Sequence, residues 1–303
     1  MQLLKRIVAV AALGLAFAGP ASAALKVMAC EPEWGELVRE LGGERVDVVV
    51  ATGPLQDPHQ VQARPSLIAR ARNADLLACT GAELEIGWLP VLLQQSGNGA
   101  IQPGRPGNFE AAAYVTMLEI PTRLDRADGD VHAEGNPHVH TDPRNVARIA
   151  DALAQRLALL DPAGREVYAR RHADFAARWS AAIARWQAKA APLAGVKVVA
   201  QHRSWVYLTA WLGIREMRTL ESRPGIEPSV AHLQSVLASL KEQPARMILH
   251  AAYQDPRASK WLGTRAGIPV VSLPFTVGGS PAARDLFALF DDTIDRLLQA
   301  ASQ

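Results

Sequence analysis

Short apolar runs alternate with longer stretches of helical period along most of this chain. Leu25–Cys30, Val46–Ala51 and Asp75–Cys79 read as strands, the first two followed by turn residues and all three apolar enough to be covered on both faces. Glu33 to Leu41 reads as a helix stopped by Gly42-Gly43, and Pro65 stands where a first helical turn tolerates proline, ahead of a helix over 66–71. A longer helix begins near Thr141-Asp142-Pro143, with Val146, Ile149, Leu153, Leu157 and Leu160 on one face. The theme then repeats. Val196–Ala200, Met247–His250 and Pro269–Leu273 are strands; Ser204 to Leu212, a segment from about Ser229, Ala258 to Ala266 and Ala282 to Leu298 are helices. Such alternation predicts an α/β protein of two lobes, each a mostly parallel sheet flanked by helices.

Pro162 to Ala191 breaks the rhythm, with no glycine or proline beyond Gly164. Tyr168, Phe175, Trp179, Ile183 and Trp186 recur there at helical spacing, a stripe that serves packing. One long helix here is a stiff connector, unlike a Gly/Ser hinge. The expected organisation is therefore an N-terminal lobe over 24–161, a connecting helix over 162–191 and a C-terminal lobe over 192–303.

The first 23 residues stand apart. Lys5 and Arg6 form a basic start, Ile7 to Ala18 an apolar run, and Ala21-Ser22-Ala23 a small-residue cleavage signal, the pattern of a secretory signal peptide too short to span a bilayer. A lipoprotein reading through Val27-Met28-Ala29-Cys30 is the alternative, but the apolar run ends too early for it. Removing residues 1–23 of 303 leaves 280, and takes away two basic and no acidic side chains, so the formal charge falls from +2 to zero. A neutral chain suits neither nucleic acid nor an anionic membrane as partner. The expected location is the periplasm, as a monomer.

Two cysteines, Cys30 and Cys79, enter that oxidising compartment. Each ends an apolar strand, so parallel neighbours would set them side by side for a disulfide. The alternative is two buried free thiols.

The chemistry lies in the histidines, eight in all. His59 follows Asp57-Pro58, and His138 follows Asn136-Pro137, so each ring sits on a loop stiffened by proline. His202 stands just past a strand, the usual place for a ligand site in an open α/β sheet. Neutral imidazole is the commonest side-chain ligand of transition metals, and three such rings at element ends suit one metal ion held between two lobes. His140 is an auxiliary candidate two residues beyond His138. His132, with Asp128 and Asp130, belongs to the segment Asp125–Glu134, either a solvated surface loop or a weak capture loop for cations. A fourth ligand is needed for a closed tetrahedral shell. Asp255, in Tyr253-Gln254-Asp255-Pro256, fits that role or that of a helix N-cap; His250 and Glu221 rank behind it. His172 and His232 read as structural or solvated residues within helices.

Taken in order, these residues resemble the periplasmic solute-binding proteins of zinc and manganese ABC importers, the ZnuA/TroA-like group. The resemblance rests on Asp57-Pro58-His59 with Arg64-Pro65-Ser66, on Asn136-Pro137-His138 with Thr141-Asp142-Pro143, and on His202 ahead of Ser204-Trp205-Val206-Tyr207-Leu208. Glu227-Pro228-Ser229 and Gly263 to Val270 extend it over nearly the whole chain after residue 23. It implies His59, His138 and His202 as metal ligands, with Asp255 near an acidic fourth position, and two lobes joined by one long helix with the ion in the cleft. It also implies an inner-membrane ABC permease as partner. This chain departs from the group at His140, where an aromatic residue is common, in its short acidic loop in place of a histidine-rich one, and in a displaced acidic position after the strand ending at His250.

The expected function is a non-enzymatic, high-affinity receptor for a divalent ion, zinc before manganese. The alternatives are a zinc hydrolase using Glu83 or Glu85 as general base, for which no HExxH helix or nucleophile elbow speaks, and a receptor for a chelated or organic ligand.

Overall fold

A computed structural model of the chain describes residues 23–123, 129 and 131–303. All of the signal-peptide segment except Ala23 lies outside the described residues, as do Asp125, Asp128 and Asp130 of the acidic loop. Among the described residues no helix is long and apolar enough to cross a membrane.

The first sheet holds β1 (Leu25–Ala29), β2 (Val46–Val50), β3 (Leu76–Cys79) and β4 (Asn108–Glu110) in the order β2-β1-β3-β4, all parallel. α1 (Pro32–Gly42), α2 (Pro65–Arg72) and α3 (Leu89–Ser96) make the connections, as parallel strands require crossovers. β5 (Lys197–Ala200), β6 (Arg215–Thr219), β7 (Met247–Ala251) and β8 (Val270–Leu273) form the second sheet in the equivalent order β6-β5-β7-β8, again all parallel. Its helices are α6 (Val206–Leu212), α7 (Val230–Glu242), α8 (Arg257–Ala266) and the C-terminal α9 (Leu286–Ala301). In both sheets the chain turns back on itself beside the first strand. A crevice therefore opens past the carboxyl ends of β1/β3 and β5/β7, where open α/β sheets bind ligands.

Local chemistry sets the helix starts. α4 (Pro143–Leu160) begins with Asp142 accepting from the Arg144 amide, α7 with Ser229 accepting from His232, and α9 with Asp285 accepting from Ala288; each cap satisfies a donor the helix cannot. The N-cap at Asp285 places the last helix after a loop that the apolar pattern alone extends into helix from Ala282.

α5 (Arg165–Ala190) is the long helix, 26 residues and about 39 Å at 1.5 Å per residue. Its aromatic stripe is packing, as expected. Trp179 and Trp186 set their rings 5.6 and 5.0 Å from that of Phe290 on α9. The Trp179 indole N–H donates to the Pro143 carbonyl and that of Trp186 to Asp291 Oδ1. Burial of such rings is worth about 1.5–3 kcal/mol each. The result is one apolar core that takes in Val27 of β1, Leu249 of β7, and α4, α5 and α9 together, so the helix is welded to both halves.

Cys30 and Cys79 form a disulfide, with Cα atoms 4.8 Å apart, inside the usual range. The cause is register: Ala29 of β1 faces Ala78 of β3, which brings the next residues together. So bonded, the pair has no thiolate to offer a metal.

Candidate metal centre

Asp57-Pro58-His59 and Asn136-Pro137-His138 fold the same way. Asp57 Oδ1 accepts from both the backbone N–H and ring Nδ1 of His59, at 3.0 and 2.8 Å. Asn136 Oδ1 accepts from the same two groups of His138, at 3.1 and 2.9 Å. In each case the residue two before the histidine clamps its backbone and its ring at once. The first loop is held by the Trp88 indole donating to the Pro58 carbonyl, 2.9 Å. The second is held from the other lobe: Asn136 Nδ2 donates to the Arg203 carbonyl and the Tyr207 hydroxyl to the Asn136 carbonyl.

His202 emerges just past β5. Its Nδ1 lies 2.8 Å from Glu221 Oε2, and that carboxylate also accepts from the Gly225 amide. Carboxylates and an amide oxygen accept here, so Nδ1 carries the proton in all three rings and each Nε2 presents a lone pair.

The three rings converge. Their centroids are 5.6 Å (His59–His138), 5.9 Å (His59–His202) and 5.4 Å (His138–His202) apart, and one ligand atom from each lies within 4.8 Å of the other two. Nε2 of His59 and of His138 is buried without a hydrogen-bond partner, a costly state that a cation would relieve. Burial, and then the neighbouring rings of His202 and His59, hold the His138 pKa well below the ordinary histidine range. Burial pushes the Asp57 carboxyl up, but hydrogen bonds from His59 outweigh it and leave the pKa lowered. A metal needs this arrangement: neutral nitrogens in front, and behind them hydrogen-bond acceptors, two of which, Asp57 and Glu221, are carboxylates.

Asp255 is not brought to these rings. Its exposed carboxylate accepts from the Arg257 amide and side chain, so it heads α8. It borders a cavity of about 640 Å³ that opens beside His59 and His202 and is also lined by Glu221, Tyr253 and Trp261. His140 also stays outside the trio, buried with Nε2 donating to the Phe275 carbonyl. His250 lies on β7 with Nδ1 donating to the Ala251 carbonyl, and burial lowers its pKa. Glu221 acts behind His202. His232 sits on α7 against the Thr219 carbonyl, and His172 rides on α5.

The carboxylates of the hydrolase alternative are engaged with backbone. Glu85 accepts from the Thr80 and Gly81 amides, and Glu83 from that of Ala133. Burial raises the Glu85 pKa to about 7, and burial, then the neighbouring carboxylates of Glu85 and Glu33, hold that of Glu31 well above the usual carboxylate range.

From the sequence, the segment of His132 reads as either a solvated surface loop or a weak capture loop for cations. The ring in fact lies 5.4 Å from that of His59, with Nε2 buried and unpartnered. Burial, then His59 and His202, lower its pKa to about 4. Its signal was the Glu83 anchor, which no local pattern reveals.

The family described as zinc-uptake complex component A, periplasmic, matches residues 27–300. Among curated relatives, a putative metal-binding protein of Treponema pallidum (strain Nichols) is 22% identical over 275 residues, 88% of this chain and 84% of that protein. The manganese ABC transporter substrate-binding lipoprotein PsaA of Streptococcus anginosus is 21% identical over 259 residues, 83% of this chain and 80% of its own. A crystal structure of ZnuA superposes with a TM-score of 0.76 at 23% identity, covering 92% of this chain and 99% of the other, a likeness of fold.

Proposed function

The chain belongs to the family of the periplasmic zinc-uptake complex component A, and from that premise we propose that it is a receptor that captures a divalent metal ion and delivers it to an ABC permease of the inner membrane. The ion is cargo; no reaction is proposed. The observation that carries this reading is the meeting of His59, His138 and His202 with their Nδ1 atoms engaged behind them and two unpartnered Nε2 atoms buried in front.

The proposed ligands are these three Nε2 atoms. Each lone pair replaces one water of the incoming ion, and the Asp57, Asn136 and Glu221 oxygens behind them orient the rings and raise their basicity. Three nitrogen donors favour zinc over manganese, which prefers oxygen ligands and stands lower in intrinsic affinity. Residues 1–23 direct export, and delivery takes place from the periplasm. His59 and His138 come from one half and His202 from the other, so the bound ion links them. With α5 packed into both, the rearrangement is small, a shift of population toward the closed form.

Elemental analysis of purified protein, followed by zinc and manganese competition on the apo form, tests the proposal. One ion per chain and tighter zinc binding are expected. Retention of tight binding after joint replacement of His59, His138 and His202 by alanine would falsify the ligand set. Binding of an organic molecule without metal would favour the cavity beside His59 and His202 as the site of a different ligand.

A further inference from the structure

Three histidines leave one position of a tetrahedral ion open, and neither Asp255 nor His140 faces it. His132 does more than lie nearby. It shares the wall of a second cavity, about 280 Å³, with His138 and His202, while its ring faces that of His59 at 5.4 Å, tilted by 33°. Its Nε2 is buried with no partner, the same condition as Nε2 of His59 and His138. The other ring nitrogen is accounted for by a hydrogen bond to the Glu83 backbone, whose carbonyl can only accept, so the proton sits there and Nε2 presents its lone pair.

The anchor is built on purpose-shaped backbone. Ala82 and Glu83 both hold positive φ, 49° and 64°, a conformation that is strained outside glycine. This turn lets Glu83 bind the loop twice: its backbone takes the His132 ring and its carboxylate accepts from the Ala133 amide. His132 is thereby oriented in the way Asp57, Asn136 and Glu221 orient the other three rings.

We propose that His132 is a fourth nitrogen donor to the ion held by His59, His138 and His202, closing the shell from the loop side. The proposal rests on the three-histidine reading. His132 lies outside the group whose ligand atoms are mutually within 4.8 Å, so binding draws it inward by a side-chain rotation about a loop already tied to Glu83.

Cobalt(II) alone is the probe, since its visible spectrum distinguishes four-coordinate from higher-coordinate sites. Wild type is expected to bind one cobalt with intense tetrahedral bands. In the His132→Ala protein stoichiometry stays at one, the bands weaken as water enters, and zinc affinity measured by competition falls by at least the ~10–100-fold seen for loss of an outer-shell partner. Added imidazole restores the tetrahedral bands. Proton NMR of cobalt-loaded wild type, which needs no variant, should show four paramagnetically shifted imidazole N–H signals. Three signals, or a His132→Ala protein with wild-type spectrum and affinity, would overturn the fourth ligand and leave the three-histidine site standing. A His59→Ala protein that still binds cobalt as tightly as wild type would overturn both.

Discussion

The ring N–H at Nε2 of His140 donates to the Phe275 carbonyl across 2.9 Å, joining residues 135 apart in sequence. The same ring sets Nδ1 3.3 Å from Glu33 Oε1, and the other Glu33 oxygen accepts from the Thr276 hydroxyl. Helix α1, the turn ahead of α4 and the loop after β8 are thus tied by one buried network. Phe275 also packs against the His138 ring, 5.6 Å between centroids. His140 is a strut between the two halves that backs the metal centre, not a member of it.

Replacing His140 with alanine should therefore cost stability and spare stoichiometry. It leaves the Phe275 carbonyl without its donor in a buried place, a penalty of about 1–3 kcal/mol. Denaturant unfolding of the apo protein should show that loss, while titration with zinc should still give one ion per chain. A stability unchanged from wild type would mean that the network carries no net weight.

Much of this was legible in the sequence because buried parallel strands announce themselves. Val27 and Met28 of β1, or Ile248 and Leu249 of β7, are apolar on both faces. Two of the four edge strands, β6 and β4, are a different matter. β6 is Arg215-Glu216-Met217-Arg218-Thr219, whose charges suit a sheet margin and hide its strand character; β4 has only three residues. At the site, the two X-Pro-His loops could be read locally because the clamp lies two residues from the ring. Glu221 and Glu83 act at distances of 19 and about 50 residues from His202 and His132, and such pairings are set by tertiary packing. Asp255 carries the same ambiguity in any sequence: a carboxylate before Pro-Arg is equally ligand-like and cap-like.

The groups behind the ligands give the next prediction. Asp57→Asn and Glu221→Gln should keep the fold and one ion per chain, and each should weaken zinc binding by about 10–100-fold, because a neutral acceptor leaves the imidazole less basic. Asp255→Ala should leave zinc affinity unchanged, its carboxylate being committed to Arg257. Competition against a chromophoric chelator measures all three; a large loss with the Asp255 variant would return that residue to the shell.

Thiol titration of the denatured, unreduced protein should find no free cysteine. Replacing Cys30 and Cys79 by serine should lower stability by about 2–4 kcal/mol. The sulfurs lie beside Met28, Leu77 and Trp88 in a satellite core, so unfolding followed by Trp fluorescence reports the change.

The pH dependence of apo stability sets two histidines against two carboxyls. His138 and His132 have pKa values lowered in the fold, chiefly by burial, the latter to about 4. Below the unfolded value of about 6.5 the unfolded chain takes up these protons first, so their contribution is lost as pH falls toward 4. Glu85 and Glu31 are raised, chiefly by burial, Glu85 to about 7. Between the unfolded value near 4.3 and about 7 the folded protein keeps those protons, so their contribution is lost as pH rises. The two effects oppose each other over the same window, and wild-type apo stability should change little across it. A Glu31→Gln/Glu85→Gln protein removes the carboxyl side alone. Relative to wild type it should gain stability as pH rises from 4.5 to 7, with each uncompensated proton worth roughly 1.4 kcal/mol per pH unit. Urea unfolding at half-unit intervals gives the two curves; if they run parallel, the buried carboxyls are ionised in the fold and the opposition does not exist.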